Sequence, residues 1–333
     1  MNAYIKAISY YLPEKVFSNQ EIIDRFPEWS ADKITKKIGI ANRHIAASTE
    51  TAGDMAIKSG QKLFLENSIN KDEIDFVLLC TQSPDYFLPT TACLIQDKLG
   101  LSTNCGALDF NLGCSGYIYG LALAKGLICA NIAKNILLIT AETYSKHIHQ
   151  DDKKNLSIFG DAAAATLVSN EGFAEILDFN LGTDGSGAEN LIVKNGGFRK
   201  SIIGEKESPD KDGNFNNPNY LFMDGAEIFN FTSDAVPKLV NENCQKNNLV
   251  KDDIDLFIFH QANKYMIDYL RKLILIDKNK FYTYIEDVGN TVSSTIPIAL
   301  KEARSEGRLT GKVLLAGFGV GYSYGSVILN INK

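Results

Sequence analysis

Residues 111–117 read Asn-Leu-Gly-Cys-Ser-Gly-Tyr and join two runs of different character. The run before them, Ala107–Phe110, is strand-like, and the alanine- and leucine-rich run after them, Gly116–Ala130, predicts a helix. A cysteine at a strand-to-helix turn lies beside unpaired helix N–H groups, which together with the helix dipole favour a thiolate over a thiol. Cysteine is also common in buried apolar helices, so the turn alone leaves two interpretations of Cys114, a nucleophile and a core residue.

The strand-turn-helix arrangement occurs twice in the chain. Three stretches of the first half match three of the second half, in the same order and at nearly the same spacing. The pairs are residues 71–79 (KDEIDFVLL) and 251–259 (KDDIDLFIF), 113–115 (GCS) and 289–291 (GNT), and 135–138 (NILL) and 312–315 (KVLL). Continuous apolar runs are typical of strands buried on both faces. The sequence therefore predicts an α/β protein with mostly parallel, helix-covered sheets and two related halves, 1–172 and 173–333.

The segment 182–222 separates the matching stretches and is rich in glycine, asparagine, aspartate and proline, without clear periodicity. A connection of this length is usually functional. We expect it to bridge the halves and to form part of a substrate entrance.

The composition narrows the classes of function and of partner. The net charge is -6 and no run of lysine and arginine occurs, so neither nucleic acid nor a membrane surface is an expected partner. The N-terminus does not resemble a signal peptide and no stretch approaches the ~18 apolar residues of a membrane span, which predicts a cytoplasmic protein. The six cysteines are scattered, with no CxxC pair and no histidines at metal-ligand spacing. They predict reduced thiols, and no metal is expected.

Three residues at comparable places of the two halves form a candidate catalytic set. Cys114 and Asn290 each begin a helix in the matching stretches, and His260 follows the buried run Phe257–Phe259. Open α/β sheets place ligands at such carboxyl ends of strands. If a pseudo-twofold axis relates the halves, Cys114 and Asn290 face each other with His260 alongside. Each residue alone has an ordinary explanation, such as a loop histidine or a helix N-cap, but together they favour catalysis.

Motifs along the whole chain accompany these three residues. They are Gly39-Ile40, Arg43-His44-Ile45-Ala46, Pro89-Thr90-Thr91-Ala92-Cys93, Gly113-Cys114-Ser115-Gly116, Phe159-Gly160-Asp161, Met223-Asp224-Gly225, His260-Gln261-Ala262-Asn263, Gly289-Asn290-Thr291 and Gly317-Phe318-Gly319-Val320-Gly321. In this combination the sequence resembles the thiolase superfamily and, within it, β-ketoacyl-ACP synthase III. The resemblance implies thiolase-like duplicated βαβαβ halves in a five-layered α/β/α/β/α core, with the cysteine in residues 1–172 and the histidine and asparagine in residues 173–333.

The resemblance also implies a reaction and its partners. An acyl thioester would load Cys114, and decarboxylative Claisen condensation with malonyl-ACP would give a β-ketoacyl thioester, in fatty-acid initiation or in a specialised acyl or polyketide pathway. His260 and Asn290 would hold the enolate oxygen, and backbone N–H groups of Cys114 and Val320 would form the oxyanion hole. Such an acyltransferase needs no cofactor, forms a homodimer, and uses acyl carrier protein and a small acyl thioester. Two alternatives stay open, a related ester or amide synthase and a non-catalytic acyl-thioester-binding protein.

Several positions depart from the family pattern. Val320 stands where the family usually has glycine, and a β-branched residue disfavours positive φ. At the expected coenzyme A and pantetheine site Trp29 lies one helical turn from the place of the family tryptophan, and Lys37 and Lys153 replace arginines. Leu88 replaces the phenylalanine that closes the acyl pocket in acetyl-selective members. These changes put coenzyme A in doubt as the acyl donor, leave acyl-CoA and acyl-ACP both open in that role, and leave room for an acyl group larger than acetyl.

The surroundings of the tunnel complete the expected site. The resemblance assigns further substrate or pantetheine contacts to Phe229, Ala262 and Asn263. Lys264, Arg271 and Lys272 lie on roughly one face of the helix after His260. Since carrier proteins are strongly acidic, this face is predicted to be their docking surface, and a merely solvated helix face is the alternative.

Overall fold

The computed structural model describes residues 2–199 and 217–332. The strands are β1 (Tyr4–Tyr11), β2 (Lys15–Ser18), β3 (Asn42–Ile45), β4 (Phe76–Cys80), β5 (Gly106–Phe110), β6 (Asn135–Glu142), β7 (Ala162–Ser169), β8 (Ala174–Thr183), β9 (Leu191–Ile192), β10 (Phe222–Met223), β11 (Leu256–Phe259), β12 (Phe281–Tyr282), β13 (Lys312–Gly319) and β14 (Ser323–Ile331). The α-helices are α1 (Asn19–Arg25), α2 (Ala31–Ile38), α3 (Ala52–Asn67), α4 (Thr91–Leu99), α5 (Gly116–Cys129), α6 (Lys153–Leu156), α7 (Gly225–Lys246), α8 (Lys264–Leu273) and α9 (Thr295–Ser305). None of the helices in the described ranges is long and apolar enough to cross a membrane.

The internal repeat of the sequence is visible in the main sheet. Ten strands pair in the order β12-β11-β13-β14-β8-β1-β7-β6-β4-β5. The first half contributes β5-β4-β6-β7-β1 and the second half contributes β12-β11-β13-β14-β8, so equivalent strands occupy equivalent places. In both halves the strands nearest the outer edge are parallel and the next pair is antiparallel. The halves join where β1 pairs with β8, which begins at Ala174.

The two halves of this sheet form two separate layers, with one helical layer between them and one on the outer face of each half. Helices α5 and α9 contact strands of both halves, and their apolar residues share one buried cluster with those strands. Helices α3 and α4 cover the outer face of the first half, and α7 and α8 cover that of the second. The α/β/α/β/α arrangement is therefore confirmed. It explains why strands such as β11 are wholly apolar, because helices cover both of their faces.

Helix caps fix where α7 and α8 begin. Asp224 precedes α7 and its carboxylate accepts bonds from the N–H groups of Ala226 and Glu227. Asn263 precedes α8 and accepts a bond from the Met266 N–H at 2.9 Å. These caps satisfy helix N–H groups that have no partner within the helix and set where each helix begins.

The structure also contains elements that the sequence reading did not predict. β2 and β3 form a separate two-stranded antiparallel sheet, and α1 and α2 lie between them in the chain. Of the long segment 182–222, the described parts hold the end of β8 and the short pair of β9 and β10. The remainder of that segment, residues 200–216, lies outside the described residues.

Candidate active site

Cys114 lies at the junction of β5 and α5, in the middle of the five layers. It is buried, and its side chain packs against β13 of the other half. A Cβ atom on Gly319 would lie 2.9 Å from both Cβ and Sγ of Cys114, and a Cβ on Gly317 would lie 2.8 Å from the Cys114 carbonyl oxygen. The backbone of β13 thus approaches Cys114 so closely that only glycine fits at positions 317 and 319 without displacement. The second half of the chain therefore forms one wall of the cysteine site.

The sulfur of Cys114 is a protonated thiol in the free protein. Burial and, to a lesser extent, the Glu142 carboxylate raise the pKa of Cys114 to about 12, whereas the backbone N–H groups of Cys114 and Val320 lower it. The strand-to-helix turn predicts a thiolate, but the desolvation of a buried sulfur outweighs the helix terminus. The two amides that act on the sulfur are those that the resemblance assigns to the oxyanion hole.

The valine in the glycine-rich turn does not need the backbone conformation of glycine. Among the described residues the positive φ at this turn belongs to Gly321, at 133°, and not to Val320. The turn therefore presents the Val320 amide at negative φ, which a β-branched residue adopts without strain. The Val320 side chain packs beside Gly113, where an added Cβ would lie 2.6 Å from Val320 Cγ1.

His260 follows β11 and only 2% of its surface is exposed. Its ring packs edge-on against Phe318, with 5.8 Å between the ring centroids, and its Nδ1 lies 2.7 Å from Thr295 Oγ1. Phe318 directly precedes Gly319, so one strand contacts both His260 and Cys114. Burial lowers the pKa of His260 to about 3. A hydrogen bond to the backbone of Val292 raises the pKa, but by less than burial lowers it. The imidazole is therefore neutral.

Asn290 follows Gly289, whose φ of 69° turns the chain into the site. The Asn290 Oδ1 accepts a bond from the Val292 N–H at 2.9 Å. Since the amide oxygen is occupied, the side chain is oriented with Nδ2 as its remaining donor. The Asn290 backbone bonds to Ile158 and Gly160 at 2.9 and 3.0 Å, which fixes the residue against the first half.

Sequence reasoning missed Glu142, a fully buried carboxylate at the end of β6. Its two oxygens accept bonds from the Gln82 N–H at 3.0 and 3.1 Å, and one also accepts from the Ser83 hydroxyl at 3.0 Å. The Ser293 hydroxyl, in the turn after Asn290, lies 3.5 Å from the other oxygen. Burial raises the pKa of Glu142 to about 8. An acidic residue that ends an otherwise apolar strand is the one signal in the sequence that points to it.

These residues combine one nucleophile with two kinds of hydrogen-bond donor. The backbone N–H groups of Cys114 and Val320 suit an oxyanion on an acyl group that the sulfur attacks. The side chains of His260 and Asn290 suit a second developing negative charge, on an enolate oxygen. The turn Val292–Ser294 contacts both α5 and β6, so the second half carries the side-chain donors to the start of the cysteine helix.

A cavity of about 980 Å³ opens between α2, the loop before α6 and residues 221–226. Trp29, Lys37 and Lys153 all line it, so the structure brings these three predicted residues together. Residues 221 and 222 also line it, so the end of the long segment lies at this cavity.

One of the lysines that line this cavity is already paired. Lys153 Nζ lies 2.6 Å from Glu28 Oε1 and 5.5 Å from the centroid of the Trp29 ring. Asp151 and Asp152 also line the cavity. The lining therefore carries carboxylates as well as lysines.

Three predicted substrate contacts occupy other places, and none of them lines this cavity. Phe229 packs against Tyr265 and Tyr269, with centroid distances of 5.9 and 4.7 Å. Asn263 caps α8, and Ala262 beside it is buried.

The three predicted docking residues on α8 have different surroundings. Lys264 and Lys272 are exposed. Arg271 donates from Nη1 to the Ile276 carbonyl at 3.0 Å, and only 16% of its side chain is exposed. Its guanidinium therefore turns back to a carbonyl beyond the end of α8, which the charge spacing on the helix does not show.

Models of two families match the chain: 3-oxoacyl-[acyl-carrier-protein (ACP)] synthase III over residues 108–185, and the C-terminal part of 3-oxoacyl-[acyl-carrier-protein (ACP)] synthase III over residues 244–331. The first match contains Cys114, and the second contains His260 and Asn290.

Single relatives are similar over the whole chain. The β-ketoacyl-[acyl-carrier-protein] synthase III of Clostridium perfringens is 36% identical over 333 residues, with 99% of each chain covered. The crystal structure of a 3-oxoacyl-(acyl-carrier-protein) synthase III gives a TM-score of 0.96 at 45% identity, covering 99% of this chain and 100% of that one. The 3-oxoacyl-(acyl-carrier protein) synthase of Burkholderia xenovorans gives a TM-score of 0.90 at 36% identity, covering 100% and 95% of the two chains. The chain belongs to the β-ketoacyl-[acyl-carrier-protein] synthase III family of condensing enzymes, within the thiolase superfamily.

Proposed function

We propose that this chain loads an acyl group onto Cys114 and condenses it with malonyl-ACP to give a β-ketoacyl-ACP. The observation that carries the proposal is the surrounding of the Cys114 sulfur, which lies beside the N–H groups of Cys114 and Val320. His260 and Asn290 complete the site from the other half of the chain. Membership of the synthase III family supports the same conclusion.

The loading step exchanges one thioester for another. The Cys114 sulfur attacks the carbonyl carbon of the acyl thioester, and the N–H groups of Cys114 and Val320 stabilise the resulting oxyanion. The C–S bond to the donor then breaks, and the thiol proton of Cys114 leaves on the donor sulfur. The free energies of the two thioesters are similar, so the step is close to balanced.

The condensation step uses the side-chain donors. The malonyl group loses carbon dioxide, and the electron pair of the broken C–C bond forms an enolate whose oxygen accepts bonds from His260 and Asn290. The enolate carbon attacks the acyl carbonyl on Cys114, and the cysteine leaves as a thiolate that takes a proton from water. A non-catalytic binding protein has no need of a nucleophile and both donors.

Acyl carrier protein is the proposed malonyl donor and also the proposed acyl donor. Phosphates of coenzyme A in this cavity would meet the carboxylates of Glu28, Asp151 and Asp152 as well as its lysines, and one of those lysines, Lys153, is already paired with Glu28. A carrier-bound donor brings only its pantetheine arm into this space. Lys264 and Lys272, exposed on the helix that follows His260, offer charges to an acidic carrier protein.

The proposed oligomer is a homodimer. Tyr86, Phe87 and Leu88 form a consecutive apolar surface, with exposed fractions of 61%, 79% and 81%. β5, in which Leu108 is also exposed, lies at one edge of the ten-stranded sheet, and an open edge strand is a ready site for pairing with a second copy. Sedimentation velocity at micromolar concentration measures this assembly.

The proposed compartment is the cytoplasm. No disulfide joins the six cysteines, all of which lie in the described ranges. Reduced cysteines are typical of proteins in a reducing compartment.

Release of labelled carbon dioxide from malonyl-ACP tests the proposed function. A condensing enzyme releases it together with a β-ketoacyl product when an acyl thioester is supplied. An ester or amide synthase of the same fold acylates Cys114 without this release, and a binding protein does neither. Either of those two outcomes would reject the condensing activity.

A further inference from the structure

Arg43 carries a fully buried guanidinium that the proposed reaction does not use. It lies in β3, and none of its surface is exposed. Burial lowers the pKa of Arg43 to about 10, and the carboxylate of Glu21 opposes this shift, so the side chain is a cation at neutral pH. Among the described residues no carboxylate bonds to it. A buried charge without an ion-pair partner is costly, so the contacts that hold it indicate a role.

The guanidinium bridges two parts of the chain. Nη1 donates to Asn19 Oδ1 at 2.7 Å and to the Phe17 carbonyl at 3.3 Å, where β2 leads into α1. Nη2 donates to the Ser157 carbonyl at 2.6 Å, in the segment between α6 and β7. Hydrogen bonds from a cation are stronger than those from a neutral donor. Arg43 therefore ties the small sheet of β2 and β3 firmly to this segment.

The segment that receives the Nη2 bond also holds the backbone of Asn290. The Asn290 N–H donates to the Ile158 carbonyl at 2.9 Å, and the Asn290 carbonyl accepts from the Gly160 N–H at 3.0 Å, which makes a parallel β-bridge. The Cβ of Arg43 packs against both sides of this bridge, because a Cβ added at Gly160 or at Gly289 would lie 3.0 Å from it. One side chain thus contacts the segment that bonds to Asn290 and the residue that precedes Asn290.

We propose that Arg43 is a positioning residue that holds Asn290 in place for the condensation step. Its side chain fixes residues 157–160 against β3, and these residues set where the Asn290 backbone enters the site. The Asn290 Oδ1 is bonded within its own turn, so the direction of Nδ2 follows that of the backbone. The inference rests on the proposed function, because it assigns Asn290 the role of a donor to the enolate oxygen. Loading relies on the backbone N–H groups of Cys114 and Val320, which belong to other elements.

Two substitutions at Arg43 test this role against a general structural one. Arg43→Met removes the donors and keeps an unbranched side chain, and Arg43→Lys keeps the charge but not the fork that bonds to both sides. We expect Arg43→Met to lower malonyl decarboxylation about tenfold or more and to leave acylation of Cys114 within about twofold, with a smaller loss in Arg43→Lys. Both rates are measured at saturating donor, so that a change in donor binding does not affect the comparison. Equal loss of both half-reactions, or wild-type decarboxylation in Arg43→Met, would overturn the proposal.

A double-mutant cycle tests whether Arg43 acts through Asn290. If it does, Arg43→Met should lower decarboxylation no further in a protein that already carries Asn290→Ala, because the group that Arg43 positions is then missing. A further loss of about tenfold in the double variant would show that Arg43 acts elsewhere and would reject the role.

Ser18 offers a matched control in the same small sheet. Its backbone pairs with Asn42, next to Arg43, and its side chain caps α1. Ser18→Ala weakens this cap without removing an acceptor of Arg43, and we expect both half-reactions to stay within about twofold of wild type. A decarboxylation loss equal to that of Arg43→Met would show that the site responds to any change in the small sheet.

Amide hydrogen exchange tests the placement of Asn290 without any activity. We expect the peptides that contain the N–H groups of Asn290 and Gly160 to exchange faster in Arg43→Met and Arg43→Lys than in wild type, and the peptide that contains Cys114 to exchange as before. Unchanged exchange in the first two peptides would refute the proposal, and failure of both variants to fold would show that Arg43 supports the whole fold and not Asn290 in particular. If wild-type protein does not decarboxylate malonyl-ACP, the proposed function fails, whereas this measurement still decides whether Arg43 holds Asn290.

Discussion

Gly319→Ala tests whether the sulfur of Cys114 must lie against β13. The added methyl group would lie 2.9 Å from both Cβ and Sγ of Cys114, whereas carbon atoms in ordinary contact are about 3.5–4.0 Å apart. Overpacking of this size costs about 1–3 kcal/mol, and the cysteine side chain is the group able to move. A displacement approaching 1 Å at a reacting atom lowers a rate about 10²-fold. We therefore expect Gly319→Ala to lower the acylation rate of Cys114 by about that factor.

The assay is the rate of adduct formation by intact-mass spectrometry with one acyl thioester, together with the melting temperature. Gly126→Ala is the matched control, because a Cβ there meets nothing within 4 Å and the residue lies in helix α5. We expect this control to acylate normally and to gain roughly 0.5–1 kcal/mol in the free energy of unfolding, since alanine favours a helix over glycine. A folded Gly319→Ala protein with a wild-type acylation rate would refute the account of the wall beside the sulfur.

Three further predictions concern the donors, the docking surface and the buried carboxylate. His260→Ala and Asn290→Ala should each still acylate Cys114 but lose malonyl decarboxylation by about 10²-fold or more, measured as labelled carbon dioxide, and equal loss of both steps would contradict the division of roles. Charge reversal at Lys264 and Lys272 should raise KM for a carrier-bound donor and not for a small pantetheine thioester, and an equal response of both donors would reject the docking surface. Glu142 has a pKa raised to about 8 in the folded protein, so the folded state binds its proton more tightly than the unfolded chain does. Its contribution to stability should therefore fall as pH rises from about 4 to 8, and Glu142→Gln should show a smaller fall in denaturant midpoint over that range; an unchanged pH dependence would contradict the raised pKa.

The parts of the fold that could be predicted from the sequence are the strands and turns that occur in both halves of the chain. β4 and β11 are apolar because helices cover both of their faces, and a continuous apolar run is readable without a structure. The repeat also places Cys114 and Asn290 in matching turns that precede α5 and α9, and His260 directly follows the repeated strand β11. The small sheet of β2 and β3 with α1 and α2 has no second copy in the described residues, so nothing reinforces its weak local signals.

The contacts that the sequence could not predict depend on the direction in which single side chains point. The spacing of Arg271 places it on one face with Lys264 and Lys272, but the spacing cannot show that its guanidinium binds the Ile276 carbonyl. Thr295 is an ordinary helix-start residue in the sequence, and its contact with His260 exists only because β11 and α9 are adjacent. The protonated state of Cys114 was missed for a similar reason, since the desolvation of the sulfur depends on how closely the other half packs against it.

The central claim is that Cys114 carries the acyl group, and intact-mass measurement after incubation with an acyl thioester tests it most directly. Wild-type protein should gain the mass of one acyl group, localised by peptide mapping to the peptide that contains Cys114. Cys114→Ser should remain folded and gain nothing, because a serine hydroxyl is a far weaker nucleophile than a cysteine at this site. An acyl adduct that persists in Cys114→Ser would show that another residue is the nucleophile and would contradict the account.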